Sequence, residues 1–231
     1  MRQVVLTVVL LFTLPGAWAG SLSRITAALP DVPAPPQGRV EWIAPSMRMN
    51  GLPMTLKTFE SGLTSPDVFS YYEHEAARWG RNEFRRMTTA ATHVLSIRSD
   101  RYVITVEASD TVRGCQGTIT VSGLPERYSV SMQSRFPHPR TTRILSRQEY
   151  DDDGIEAEHL SLASARSPGI EADAFADELN RAGWQVVRHE STQSRGVVIE
   201  AQRGAELAQL TLQPDRSGSA ATAIVIVWRK S

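Results

Sequence analysis

The 231 residues include one cysteine, Cys115. A lone cysteine excludes an intrachain disulfide framework and any zinc site built on several thiolates. An excess of either charge is also missing, since Lys plus Arg and Asp plus Glu both number 25. Carriers of nucleic acid usually show a strong basic excess, so the balance argues against that partner. After the first twenty residues no apolar run approaches the length needed to span a bilayer as a helix. Phosphate-cradling glycine loops, GxSxG, SxxK and HExxH are all lacking, which removes the common nucleotide, serine-hydrolase and zincin signatures. What remains, at 41% hydrophobic and 22% charged, is an ordinary globular composition.

The chain opens MRQVVLTVVLLFTLPGAWAG. Arg2 is a short positive region, Val4 to Leu14 is an apolar stretch, and Pro15-Gly16 break it ahead of the small-x-small triplet Ala17-Trp18-Ala19. This pattern predicts a secretory signal peptide over 1–19, cleaved after Ala19, and hence a periplasmic or secreted protein. No cysteine follows the cut to carry a lipid, and the mature chain is expected to have no transmembrane segment. Residues 20–39 contain DVPAPPQG, with four prolines from Pro30 to Pro36, and read as an extended leader. Organised structure is expected from about Val40.

Two stretches then share one order of elements. In the first, 40–126, Asn50-Gly51 lies between alternating apolar segments, the signal for a type I′ hairpin. SPDVFSYYEHEAARWG follows. Ser65 suits a helix cap, Pro66 the first helical position, and Val68, Tyr72, Ala76 and Trp79 form one helical face stopped by Gly80. THVLSIR, RYVITVEA and CQGTITVS then read as three strands. In the second, 141–231, Asp153-Gly154 marks a hairpin. SPGIEADAFADELNRAGW carries Phe175, Leu179 and Ala182 on one face with Gly183 as its stop, and strand-like runs end at Ala223 to Trp228. That last run is apolar enough to demand an interior position in a sheet. The expectation is an α+β protein of two similar modules, each an antiparallel sheet covered by one main helix in the order strand-strand-helix-strand-strand-strand, joined by a linker over 127–140. Trp79 and Trp184 are assigned to packing at the ends of the two cores.

Tyr71-Tyr72, the helix that carries them and the Gly-Trp step in NRAGWQVV resemble features of uncharacterised exported bacterial proteins with duplicated helix-plus-antiparallel-sheet modules. The layout is also distantly similar to the helix-grip modules of an outer-membrane assembly lipoprotein. The resemblance implies the fold and an exported location.

Few residues invite chemistry. Cys115 sits at the start of a strand near Arg113, with His93 on a neighbouring strand as its nearest plausible base. The five histidines have no metal-binding spacing. Asp151-Asp152-Asp153-Gly154 lacks the alternate carboxylates and closing Glu of a calcium loop. No catalytic residue, metal ligand or cofactor site is therefore assigned. Tyr71, Tyr72, Arg140 and Arg143 are the candidate ligand or partner surface, the arginines as a basic stretch that could meet an anionic partner. The function expected is that of an exported, non-catalytic interaction or accessory module of an envelope or secretion complex, with a protein partner in the cell envelope and no nucleic acid. A small-ligand binder with Tyr71, Tyr72 and Trp79 lining a pocket is the alternative. A cryptic hydrolase based on Cys115 or a serine with His93 or His159 ranks last.

Overall fold

The computed structural model describes residues 29–79, 83–89, 92–152 and 155–230. The expected signal peptide, the start of the leader, Gly80 and the Asp153-Gly154 turn lie outside the described residues. The elements are β1 (Gly38–Met49), β2 (Leu52–Ser61), α1 (Ser65–Glu75) with a 3-10 turn at Ala76–Trp79, β3 (Glu83–Thr88), β4 (His93–Arg98), β5 (Tyr102–Thr111), β6 (Gly114–Gly123), β7 (Thr142–Asp152), β8 (Ile155–Ser164), α2 (Pro168–Arg181), β9 (Gln185–Ser191), β10 (Val197–Arg203), β11 (Glu206–Pro214) and β12 (Thr222–Lys230).

These strands form one twelve-stranded sheet, in the order β3-β4-β5-β6-β2-β1-β7-β8-β12-β11-β10-β9, with antiparallel pairing throughout. This corrects the expectation of two separate modules, each with a main helix. The helices are short, 11 and 14 residues, and the sheet is continuous. The reason lies in the backbone. Once β1 and β7 are formed, each offers an unpaired edge, and pairing them satisfies donors and acceptors that no side-chain pattern reveals. The seam pairs Met47 with Tyr150, Arg48 with Glu149 and Met49 with Gln148. Asn50 extends it by donating from its backbone to Arg147 O (2.8 Å) while its Oδ1 accepts from Arg147 N (2.8 Å). Four strands, not three, follow α1. The extra one, β3, is exposed along its length and polar or charged at most positions, so it carried no apolar alternation to read.

Because antiparallel partners point to the same side of a sheet, the pairing register sorts the residues into two faces. Phe59, Leu95, Ile97, Ile104, Val106 and Ile119 share one face, on which α1 lays Val68, Phe69 and Tyr72. Leu160, Leu162, Ile199, Leu210, Ile224 and Ile226 lie on that same face across the seam and are covered by Phe175 and Leu179 of α2. Two cores thus sit side by side on one helix-bearing face. The hairpin turn is left-handed at Asn50 (φ 52°) and Gly51 (φ 85°), as Asn-Gly predicts. β12 lies between β8 and β11, the interior place its apolar run requires.

The leader is not a free linker. Val32 is buried in the first core, and Tyr72 donates its hydroxyl hydrogen to Pro33 O (2.9 Å). Ser61 Oγ donates to Pro36 O (2.9 Å). Lys57, buried under this strap, donates to Val32 O (2.9 Å), pairs with Asp31 and lies 4.1 Å from the centre of the Trp42 ring. Four prolines preset an extended path that lies across β2 at low entropic cost. The segment between β6 and β7 is anchored in the same way: Phe136 packs edge-on against Trp184, with ring centres 5.4 Å apart.

Candidate functional site

The candidate residues do not converge. Tyr72 is fully buried in the first core, and burial pushes its hydroxyl pKa up. Tyr71 is half-buried and meets Tyr72 edge-on at 5.0 Å. Arg140 and Arg143 are exposed, but they lie before and at the start of β7, in the other half of the sheet. The space between α1 and the sheet, where a ligand was expected as the alternative, is filled by Val32, Phe59, Val68 and Leu95. Trp79 packs against that core, and Trp184 is buried in the second.

Cys115 is buried, and burial pushes its thiol pKa up against a smaller opposing effect of the Ser65 hydroxyl. A thiol held neutral is a poor nucleophile. β5 lies between the strands that carry Cys115 and His93. His93 is instead engaged by Asp110 (3.7 Å) and by the Thr88 hydroxyl (3.2 Å). Asp110 also accepts from Ser65 N (2.9 Å) and from Ser65 Oγ (2.6 Å). It therefore supplies the cap that was expected of Ser65 itself. Ser65 falls inside the first turn, and the Thr64 hydroxyl at the cap position donates to Asp67 Oδ2 (2.7 Å) rather than accepting from a helix N–H. His159, the other candidate base, stands on β8 with its ring 5.1 Å from that of Tyr150, and burial lowers its pKa. Among the described residues no group of three or more His, Cys, Asp and Glu side chains could hold a metal ion. None of the described helices is long and apolar enough to cross a membrane.

The two Ser65 hydrogen bonds hold the Asp110 carboxyl below its ordinary value of 3.8. A carboxyl depressed on folding contributes stability that is present above its unfolded pKa and is lost as pH falls through the folded one. Stability measured by urea unfolding between pH 6 and pH 2 should therefore fall more steeply for the wild type than for Asp110→Asn below about pH 4. Parallel curves would remove Asp110 from the capping role.

What the tertiary structure does assemble is a surface on the face opposite the helices. The strap, both helices and Phe136 all pack on the helix face, which leaves the other open. Around the seam this open face carries Met49 from β1 and Leu52, Met54 and Leu56 from β2, all half-buried. Across the seam the band continues through Tyr150 and His159 to Val227, and to the exposed Val225. Beside it, toward the first half, lies an open depression of about 410 Å³ lined by Arg39, Glu41, Thr58 and Gln116. A second, of about 790 Å³, borders Gln37, Gly38, Arg113 and Cys115 at the strand ends. The alternating pattern of β2 and β12 showed that each strand has two faces. It could not show that the less buried faces of strands more than 150 residues apart in sequence adjoin, because only the seam makes them neighbours. Compared with protein-family models, curated proteins and solved structures, the chain matches none.

Proposed function

We propose that this chain is an exported, non-catalytic interaction module of the cell envelope, and that it holds a protein partner on the open face of its sheet across the β1–β7 seam. One observation carries the reading: Met49, Leu52, Met54, Leu56, Tyr150 and Val227 form a half-exposed band around the buried Met47, while both helices, the strap and Phe136 pack on the opposite face. Methionine-rich apolar surfaces repack to fit a partner, and aromatic residues supply contact area at low entropic cost. The signal-peptide pattern of 1–19 supports export. The burial of Cys115 and the engagement of His93 by Asp110 support a role without covalent chemistry.

The test is site-specific photo-crosslinking in cells of the native host, with the photoreactive residue at Leu56, at Val227 and, as a control on the helix face, at Asp177. A discrete adduct with one protein is expected from the first two positions and not from Asp177. Met54→Glu should reduce it by about tenfold or more, because a charge in the centre of an apolar contact is left desolvated. No adduct above background, or the same adducts from all three positions, would overturn the reading. N-terminal sequencing of the protein from the same cells is expected to begin at Gly20.

A further inference from the structure

The sheet has a third edge besides its two ends. β1 meets β7 only from Met47 onward, so its first half, Gly38 to Ile43, pairs with β2 on one side and with no described strand on the other. β-Bulges between Trp42 and Met47 bend the strand away at this point. Such an edge presents a row of free backbone donors and acceptors, a template for another strand.

The outer edges of the sheet are protected against this. β3 carries Glu83, Arg85 and Arg86, and β9 carries Arg188, His189 and Glu190 together with an irregularity in its register. Charged side chains and bulges are the usual means of blunting an edge. Both outer edges also expose single apolar side chains, Phe84 and Met87 on β3 and Val187 on β9. The inner edge differs in exposing two in succession, Trp42 at 43% and Ile43 at 55%. Pro45, which has no N–H to donate, lies just beyond. Its charges are Arg39 and Glu41, of opposite sign and two residues apart.

That spacing identifies the occupant. When GRVEWI lies antiparallel to a second copy of itself with the two Val40 residues opposite each other, Arg39 of each copy faces Glu41 of its partner, twice over. Both charges lie on the open face, since Arg39 pairs with Glu60 and Glu41 with Thr58 in β2. On the other face Trp42 of each copy comes opposite Gly38 of its partner and meets the Pro35 ring that lies over that glycine. A strand of another sequence would have to match both pairings by chance, whereas the chain matches itself. We infer that the protein forms a two-fold symmetric dimer by antiparallel addition of the β1 segment Gly38–Ile43 to its counterpart in a second copy, which extends the sheet through its interior edge rather than its ends.

A six-residue strand addition is a small interface, so the dimer is expected to be weak and reversible. Sedimentation velocity over roughly 5 to 500 µM should show a concentration-dependent shift from monomer to dimer. Symmetry makes the charge test sharp. Arg39→Glu alone, or Glu41→Arg alone, places like charges opposite each other twice and should weaken the dimer by about tenfold or more. The double exchange, Arg39→Glu with Glu41→Arg, made together with Glu60→Gln because Glu60 holds Arg39 at 3.0 Å within one copy, should restore it. Trp42→Ala should weaken it without affecting the rescue. Circular dichroism on each variant separates loss of dimer from loss of fold, because Arg39 and Glu41 are exposed and neither is in a core. A chain that stays monomeric across the whole range would overturn the inference. So would a dimer indifferent to the single reversals, or one that the double exchange fails to restore.

Discussion

Replacing Arg147 by leucine is expected to cost about 3–5 kcal/mol of stability. Glu158 is only 2% exposed, and its carboxylate pairs with Arg147 while accepting from Ser134 Oγ at 2.5 Å. Removing the guanidinium leaves that carboxylate buried and opposed by one neutral hydroxyl. The reverse change, Glu158→Leu, should cost less, because Arg147 keeps Glu149 at 2.6 Å on the more exposed side. The double variant should recover more than half of the loss seen in Arg147→Leu, since two apolar side chains remove the desolvation cost together with the attraction. Urea unfolding of the four proteins at neutral pH gives the coupling directly. A loss below about 1 kcal/mol for Arg147→Leu would show that solvent reaches this pair. The position matters because Arg147 adjoins the β1–β7 seam, where, among the described residues, three residue pairs and Asn50 join the halves of the sheet. A cation that orders the segment before β7, through Glu158 and Ser134, also fixes how β7 is presented to β1.

Gly117→Ala should be nearly as damaging, at about 3 kcal/mol or more, although it adds a single methyl group. Gly117 lies opposite Phe59 of β2 and Ala108 of β5. A Cβ there would stand 1.7 Å from Glu107 O and 2.9 Å from the Phe59 ring. The first atom belongs to the backbone of a paired strand and cannot retreat without breaking the β5–β6 ladder. The second is fully buried. Gly169→Ala provides the contrast. Its Cβ would meet nothing within 4 Å in the first turn of α2, so the change should stabilise by about 0.4–1 kcal/mol through the unfolded chain. Chemical denaturation should shift the two midpoints in opposite directions. If Gly117→Ala unfolds within error of the wild type, the close approach of β5 and β6 at this point is wrong.

Much of the local structure was legible in the residues. Asn50-Gly51 predicted its turn because few other dipeptides accept two left-handed residues in succession. Val68, Tyr72 and Ala76 share a helical stripe, and all three are fully buried. Gly183 ends α2 with φ at +79°, as the stop in NRAGW required. The candidate surface was less accessible. Tyr72 reads both as part of the apolar helix face and, with Tyr71 and Trp79, as the lining of a ligand pocket. The Pro-rich strap turned it inward by offering Pro33 O to its hydroxyl. Such a contact spans 39 residues and leaves no periodicity to detect. β3 escaped notice for the opposite reason: an edge strand with little to bury has no alternating pattern.

The sequence by itself determined both helices, every strand but β3, and which face of each is apolar, because those properties depend on neighbours a few residues away. Only the tertiary structure decided that two groups of strands share one sheet, that both helices lie on one side of it, and that a methionine-rich band and an unpaired stretch of β1 remain outside. Backbone hydrogen bonds make that decision, and every residue except proline carries the same donor and acceptor. Which edge meets which is therefore set by geometry after the strands exist, through contacts such as Met47 with Tyr150 that join residues about a hundred positions apart.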